Sequence, residues 1–287
     1  MQKMKTNLLK ALYNLVQNPV KDVVKYYSYS NNRINQVGDA LEVYVKDAFC
    51  STFDIADLES KTELYTKYFS YLGSQNHPPD FMINGGDAVE VKKTGDNATE
   101  LALNSSYPKD KLHASSPMIT QACRDAETWS VKDHLYCVGN TDSTDNLKSL
   151  WFVYGDCFVS KKESYERMKE SISEGINQLD GIVFSDTKEL GRVNAVDPLG
   201  LTYLRVRGVW GIKHPSWVFK NHFDDMKTNN FEMNAILKET KYLSFPNEDR
   251  ILLENLQNDH FSIKKIKIKN PNNPESLDSA RLINYWE

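Results

Sequence analysis

A chain of 287 residues, 40% apolar and 26% charged, has the length for a sizeable core and the balance of an ordinary soluble globular protein. It is read as one large α/β domain with elaborations rather than two small domains. The opening MQKMKTNLLKALYNLV lacks the apolar core and small-residue cleavage site of a signal peptide, and no apolar run is long enough to span a bilayer. The expected location is therefore the cytoplasm. Cys50, Cys123, Cys137 and Cys157 are scattered without a C-x-x-C pair, which argues against a structural zinc site and a disulfide scaffold. A net charge of −4 confines any phosphate-binding role to a locally basic cleft.

In chain order, residues 3–17 read as an amphipathic packing helix with Leu8, Leu12, Leu15 and Val16 near helical spacing and Pro19 as a stop. A tyrosine-rich connection, 26–32, leads to a second helix over 34–49. Its apolar positions follow the helical period while Asp39, Glu42 and Lys46 share another face. Glu42 is either a solvated helical glutamate beside Lys46 or a carboxylate reaching the edge of a site. Residues 54–71 read as a helix followed by a strand ending at Gly73.

The chemistry concentrates in HPPDFMINGGDAVEVKK, residues 77–93. Phe81-Met82-Ile83, the turn Asn84-Gly85-Gly86 and the alternating run from Ala88 to Lys92 predict a β-hairpin. Counting back from a three-residue loop puts Asp80 opposite Glu90, with Lys92 on the same face. Two carboxylates held together repel unless a cation lies between them, and oxygen ligands suit a hard divalent ion such as Mg²⁺. A lysine beside such a site can orient a water attacking a phosphate. The same residues on a solvated strand face would make only a cross-strand ion pair.

Downstream, Asn104, Ser105, Ser106, Tyr107, Lys109 and Lys111 lie in a hydroxyl-rich and basic loop, 104–120. It reads either as a solvent-exposed connection or as a surface offering phosphate and base contacts. Lys93 joins these contact candidates. His113 has no second histidine at metal spacing. A helix over 119–129, buried strands over 133–139 and 150–154, and a charged amphipathic helix over 161–179 follow, the last read as packing. A strand over 182–184 and a polar connection over 188–198 come next. In LTYLRVRGVWGIKHP, residues 201–215, Arg205 and Arg207 oppose apolar positions and make either a surface ion-pair face or a guanine-reading pair. Residues 231–238 read as helix, and SIKKIKIKN, 262–270, as a lysine-rich edge strand.

With these stretches in view, the chain resembles the PD-(D/E)xK nucleases and, within them, the NgoPII-like type II restriction endonucleases. The matching segments are NRINQVGDALEVYVKDAF (32–49), FSYLGSQNHPPDFMINGGDAVEVKK (69–93) and LALNSSYPKDKLHASSPMITQACRDAE (101–127), all in the first half. The resemblance implies a central mixed β-sheet flanked by helices, within a single endonuclease domain over 1–287. The catalytic core would occupy about 30–185 and elaborations for DNA binding or dimerisation 186–287. It makes Asp80, Glu90 and the backbone carbonyl of Val91 metal ligands, Lys92 the catalytic lysine and Glu42 a supporting carboxylate. It further implies Mg²⁺-dependent cleavage of double-stranded DNA at a short palindrome, GGCC in NgoPII-type enzymes, giving 5′-phosphate and 3′-hydroxyl ends. A homodimer and a cognate DNA methyltransferase as genetic partner are implied as well. The rival readings are a structure-specific repair or recombination nuclease of the same superfamily and a non-catalytic DNA-binding module.

Overall fold

The computed structural model describes residues 3–19, 22, 36–74, 76–96, 99–103, 105–178, 183–184, 189–223 and 230–287. Helix α1 (Leu8–Gln17) starts where Asn7 caps it, its side chain accepting from the Leu9 and Lys10 amides, and buries Leu8, Leu9, Ala11, Leu12 and Leu15. Residues 3–7 precede the helix. Helix α2 (Gln36–Cys50) buries Leu41, Tyr44, Val45, Ala48 and Phe49 against α1 and the sheet. Helix α3 (Leu58–Tyr68), capped by Asp57, runs straight into strand β1 (Phe69–Tyr71). The connection at 26–32 lies outside the described residues.

The hairpin consists of β2 (Phe81–Ile83) and β3 (Ala88–Thr94). Then come β4 (Leu101–Ala102), β5 (Lys111–His113), the short helix α4 (Gln121–Asp125), β6 (Val131–Thr141) and β7 (Leu147–Tyr154). Helix α5 (Lys162–Asn177) precedes β8 (Val183–Phe184), β9 (Gly191–Asn194), β10 (Leu204–Val206) and β11 (Gly211–Ile212). The chain ends with β12 (Glu232–Lys238), helices α6 (Glu239–Ser244) and α7 (Asn247–Glu254), β13 (Phe261–Asn270) and β14 (Asn273–Trp286).

Strands β1-β2-β3-β6-β7-β12-β14-β13 form one sheet in that order, with β5 attached to β6. The β3–β6 and β7–β12 pairs are parallel and the others antiparallel, so the sheet is mixed as expected. Its centre is dry: Leu135, Cys137, Trp151, Phe152, Ala235 and Ile236 are fully buried. All four cysteines are free and buried. No helix among the described residues is long and apolar enough to cross a membrane.

Several elements differ from the sequence expectation. Residues 232–238 are not helix but a central strand, with Met233 to Leu237 buried and hydrogen-bonded neighbours on both sides. A short apolar run covered on both faces has no alternation to distinguish it from a helix. Strand β14 was not anticipated, and β9 lies in the stretch read as a polar connection. The helix expected over 119–129 is a single capped segment of five residues. Helix α5 has the expected length but buries none of its residues, leaving Met168 and Ile172 about half exposed.

Candidate active site

The β2–β3 hairpin is clamped at its tip. Gly85 takes φ +66 to close the turn, Ile83 donates to the Asp87 carbonyl at 2.9 Å, and Gly86 donates back to Ile83 at 2.9 Å. Glu127, just past α4, accepts from the Gly85 amide at 2.8 Å and from Ser70 Oγ at 3.0 Å. Lys132, on β6, pairs with Glu127 and donates to the Gly86 carbonyl at 2.7 Å and the Ile83 carbonyl at 3.2 Å. Nothing in the spacing of Glu127 and Lys132 marked them in advance.

At the open end, the ladder pairs Met82 with Ala88 and Phe81 with Val89, so Glu90 is next in register to Asp80. The Asp80 amide donates to the Val89 carbonyl at 3.0 Å, and its Oδ2 accepts from the Val91 amide at 2.6 Å. Gly73, at φ +98, makes this possible: a Cβ there would stand 2.2 Å from the Asp80 carbonyl oxygen. In an extended strand the N–H and C=O of one residue face the same side. The Val91 carbonyl therefore faces the side from which Asp80 approaches.

Lys92 Nζ lies 2.6 Å from Glu90 Oε1, while Glu90 Oε2 is buried with no hydrogen-bond partner. Burial and then the Glu90 charge push the Asp80 carboxyl up to about 8, with Glu42 adding and Lys92 opposing. Lys92 is partly buried, which alone would lower its pKa. Glu90, Asp80 and Glu42 outweigh that effect and hold the ammonium above its usual range. Glu42 projects from α2, bound to Lys46 at 2.5 Å. Lys46 also reaches the Leu72 carbonyl at 3.4 Å and stands 5.7 Å over the Phe81 ring.

No three His, Cys, Asp or Glu side chains that could hold a metal stand together among the described residues. The donor set is instead two carboxylates and a strand carbonyl. That set fits Mg²⁺, which is bound through one or two carboxylates and retains waters or substrate phosphates in its remaining positions. The orphaned Glu90 oxygen and the raised Asp80 carboxyl fit that donor set, since a cation between them would satisfy the one and favour ionisation of the other.

The other candidates are distributed differently. Asn104 lies outside the described residues. Ser105 is half-buried. Lys93 is partly exposed, 3.3 Å from Asp145. Tyr107 stacks on Tyr165 with centroids 5.7 Å apart, meets Trp210 edge-on, and donates to Glu166 at 3.0 Å. Lys109 is buried, its ammonium bound to Ser106 Oγ and the Tyr107 carbonyl and its amide donating to Tyr136 Oη at 2.7 Å. Tyr136 pairs with Glu90 across β3 and β6. Burial lowers Lys109 to about 8, a fall resisted by Glu90 and assisted by Lys92, so its ammonium feels the Glu90–Lys92 pair. Lys111 binds Asp133 at the β5–β6 junction. Arg205 and Arg207 both engage Glu189, at 2.6 Å and 2.5 Å, well along the chain from the hairpin.

The family model of the NgoPII restriction endonuclease matches residues 6–269. The chain belongs to this family. It is 48% identical over 279 residues to the type II restriction enzyme NgoPII of Neisseria gonorrhoeae, covering 97% of this chain and 99% of that protein. No solved structure matches it. As a family member the chain is a type II restriction endonuclease, a site-specific deoxyribonuclease. The match extends through the second half, where the sequence offered no quotable motif.

Proposed function

We propose that this enzyme hydrolyses double-stranded DNA within a short palindrome, GGCC, in a Mg²⁺-dependent displacement that leaves 5′-phosphate and 3′-hydroxyl ends. The observation that supports the site is the convergence of Asp80, Glu90 and Lys92 on one clamped hairpin, with Glu90 Oε2 buried and unpartnered. Asp80 Oδ2, Glu90 and the Val91 carbonyl would hold the ion. Bound there, Mg²⁺ supplies charge stabilisation to the phosphate oxygens and the leaving 3′-oxygen.

Lys92, held protonated by its carboxylate neighbours, acts as a donor rather than a base. It orients the attacking water and offsets charge on the phosphate. Glu42 adds negative potential from the α2 side and keeps Lys46 in place. Lys93, Ser105, Ser106, Tyr107, Lys109, Lys111, Arg205 and Arg207, with Asn104, are proposed to form or support the DNA-binding surface. Lys109 does so from a buried position, by holding the loop against Tyr136.

A palindrome matches a two-fold dimer in which each subunit cuts one strand. The working state is therefore proposed as a cytoplasmic homodimer, with a cognate methyltransferase protecting the host DNA. The test is digestion of unmethylated plasmid and phage DNA by wild type and Asp80→Ala, in Mg²⁺ or EDTA. Discrete fragments mapping to GGCC, from wild type with Mg²⁺ only, are expected. Discrete cuts elsewhere would discard the target but keep the mechanism. DNA binding without cleavage under every metal and methylation state would replace the enzyme reading with a binding module.

A further inference from the structure

Strands β9 and β10 form an antiparallel hairpin in which Leu204 faces Val193, Arg205 faces Arg192 and Val206 faces Gly191. Directly paired residues share a face, so the two faces of this hairpin differ sharply. One holds Gly191, Val193, Leu204 and Val206: Val193 is buried, and a Cβ on Gly191 would meet Ile176 of α5 at 3.1 Å. At Gly191 and Val193 that face sits on the body of the protein, while Leu204, nearer the loop, is exposed. The other holds Arg192 directly opposite Arg205, with Arg207 two residues further along.

Like charges directly opposite each other destabilise a β pair. Here they are tolerated because Glu189 binds both Arg205 and Arg207, and because Arg192 stacks on Tyr203 at 4.4 Å. One carboxylate serves two guanidiniums, and the side chains of Arg205 and Arg207 remain 47% and 54% exposed. The arrangement keeps a positive, outward-facing surface at a local cost, as an anionic partner would require.

The loop joining the strands is built rather than loose. Asp197 accepts from the Leu199, Leu201 and Thr202 amides and from Thr202 Oγ1, and Ala195 and Gly200 take positive φ to close it. This fixed tip presents Leu199 and Leu201 at 80% and 77% exposure. Two neighbouring large apolar side chains held in water on one ordered tip make a patch rather than a scattered exposure, and such patches mark interaction sites. The root of the arm adjoins the catalytic region: Gly211 and Ile212 pair with β4, the strand after β3, and Trp210 packs on Tyr107 and Tyr165.

From these observations, and resting on the DNA-cleaving role above, we infer that the 191–206 hairpin is a DNA arm. Leu199 and Leu201 form an apolar wedge that enters a groove and partly unstacks a base step, while Arg192, Arg205 and Arg207 face the phosphates. The combination of apolar wedge side chains with flanking arginines is the one that proteins use to deform duplex DNA. The arginines on its outer face complement the phosphate backbone of duplex DNA, which is the occupant proposed here.

The experiment compares wild type with the double variant Leu199→Ala/Leu201→Ala, whose exposed positions leave folding unaffected. Digestion of phage DNA by wild type comes first and identifies the cut sequence; failure to cut would sink the nuclease reading and the arm with it. A duplex of that sequence, with 2-aminopurine at successive positions, is then titrated in Ca²⁺, and both proteins are sized by light scattering. Wild type should raise the fluorescence at one step. The variant should lose that rise and bind about tenfold more weakly at unchanged mass. Equal affinity and equal fluorescence from a cutting wild type would overturn the arm while leaving the nuclease intact. A variant of half the wild-type mass would overturn it in favour of an interface between copies.

Discussion

The Gly85 amide donates to Glu127 Oε2 at 2.8 Å, so a carboxylate 42 residues downstream holds the tip of the β2–β3 hairpin. The same carboxylate neutralises Lys132, whose side chain is only 4% exposed. Glu127→Ala would strand that ammonium and release the turn, at a cost of about 3 kcal/mol. Burial alone would raise the Glu127 pKa, but Lys132, the Gly85 amide and Ser70 together hold it below the usual carboxylate value. A depressed folded pKa contributes stability above the unfolded value and loses it as pH falls through the folded one. Urea unfolding should therefore show a wide gap between wild type and Glu127→Ala at pH 7 that narrows below about pH 4. A gap independent of pH would mean the carboxylate acts by packing alone.

Asp80 has the opposite sign. Its carboxyl is raised to about 8, first by burial and then by Glu90, so between about pH 4 and pH 8 it is ionised in the unfolded chain and protonated in the folded one. Its contribution to metal-free stability is fully present below the unfolded value and declines as pH rises across that window. Asp80→Asn should stabilise the metal-free protein at pH 8.5 by on the order of 1 kcal/mol and have little effect near pH 4. Because a metal ligand must lose its proton, Mg²⁺ or Mn²⁺ affinity should climb through pH 8 and proton release should accompany binding. Calorimetry in two buffers of different ionisation enthalpy reads that release directly. Affinity unchanged between pH 6.5 and 8.5 would remove Asp80 from the ligand set.

The hairpin was legible because two signals coincide in it: a glycine-rich turn of fixed length and strict alternation beyond it, which together determine register. The placement of Asp80 next to Glu90, with Lys92 beside it, followed from that count. The clamp of Glu127 and Lys132 was not legible, since its partners are turn amides and carbonyls and leave no sequence pattern. Strand β12 was misread for a different reason. EMNAILK is covered on both faces, and only its neighbours β7 and β14 make it a strand. The role of Lys109 was hidden by composition: in a loop of serines and lysines it reads as a surface cation, yet Tyr136 and Ser106 draw it into the interior.

Lys92 and Glu90 form a pair at 2.6 Å whose two members should fail differently. Lys92→Met removes the donor proposed to orient water, so turnover should drop by roughly 10²- to 10⁴-fold. It also frees the Glu90 carboxylate from its ammonium, so metal binding should be retained or tightened. Glu90→Gln removes the charge of a proposed ligand and should weaken metal binding together with turnover. Manganese titration followed by electron spin resonance separates the two variants without reference to activity. If Lys92→Met lost the metal as Glu90→Gln does, the lysine would be holding the site together rather than serving the reaction.

Gly155 sets how closely the 105–111 loop approaches the sheet. A Cβ there would lie 2.1 Å from the Lys109 carbonyl oxygen and 2.8 Å from Asp110 Cα, both backbone atoms with little room to yield. Gly155→Ala must therefore push the loop outward, straining the 2.7 Å bond from the Lys109 amide to Tyr136 Oη and the burial of the Lys109 ammonium. Overpacking of this kind costs about 1–3 kcal/mol. Since Tyr136 pairs with Glu90, the displacement reaches β3, and turnover should fall more than the stability loss explains. Melting temperature and single-turnover cleavage, measured together on Gly155→Ala and on an exposed control, Gly95→Ala, give the comparison. Full activity at an unchanged melting temperature would show that the loop can retreat from Gly155 freely and that the buried Lys109 is not part of what holds the site.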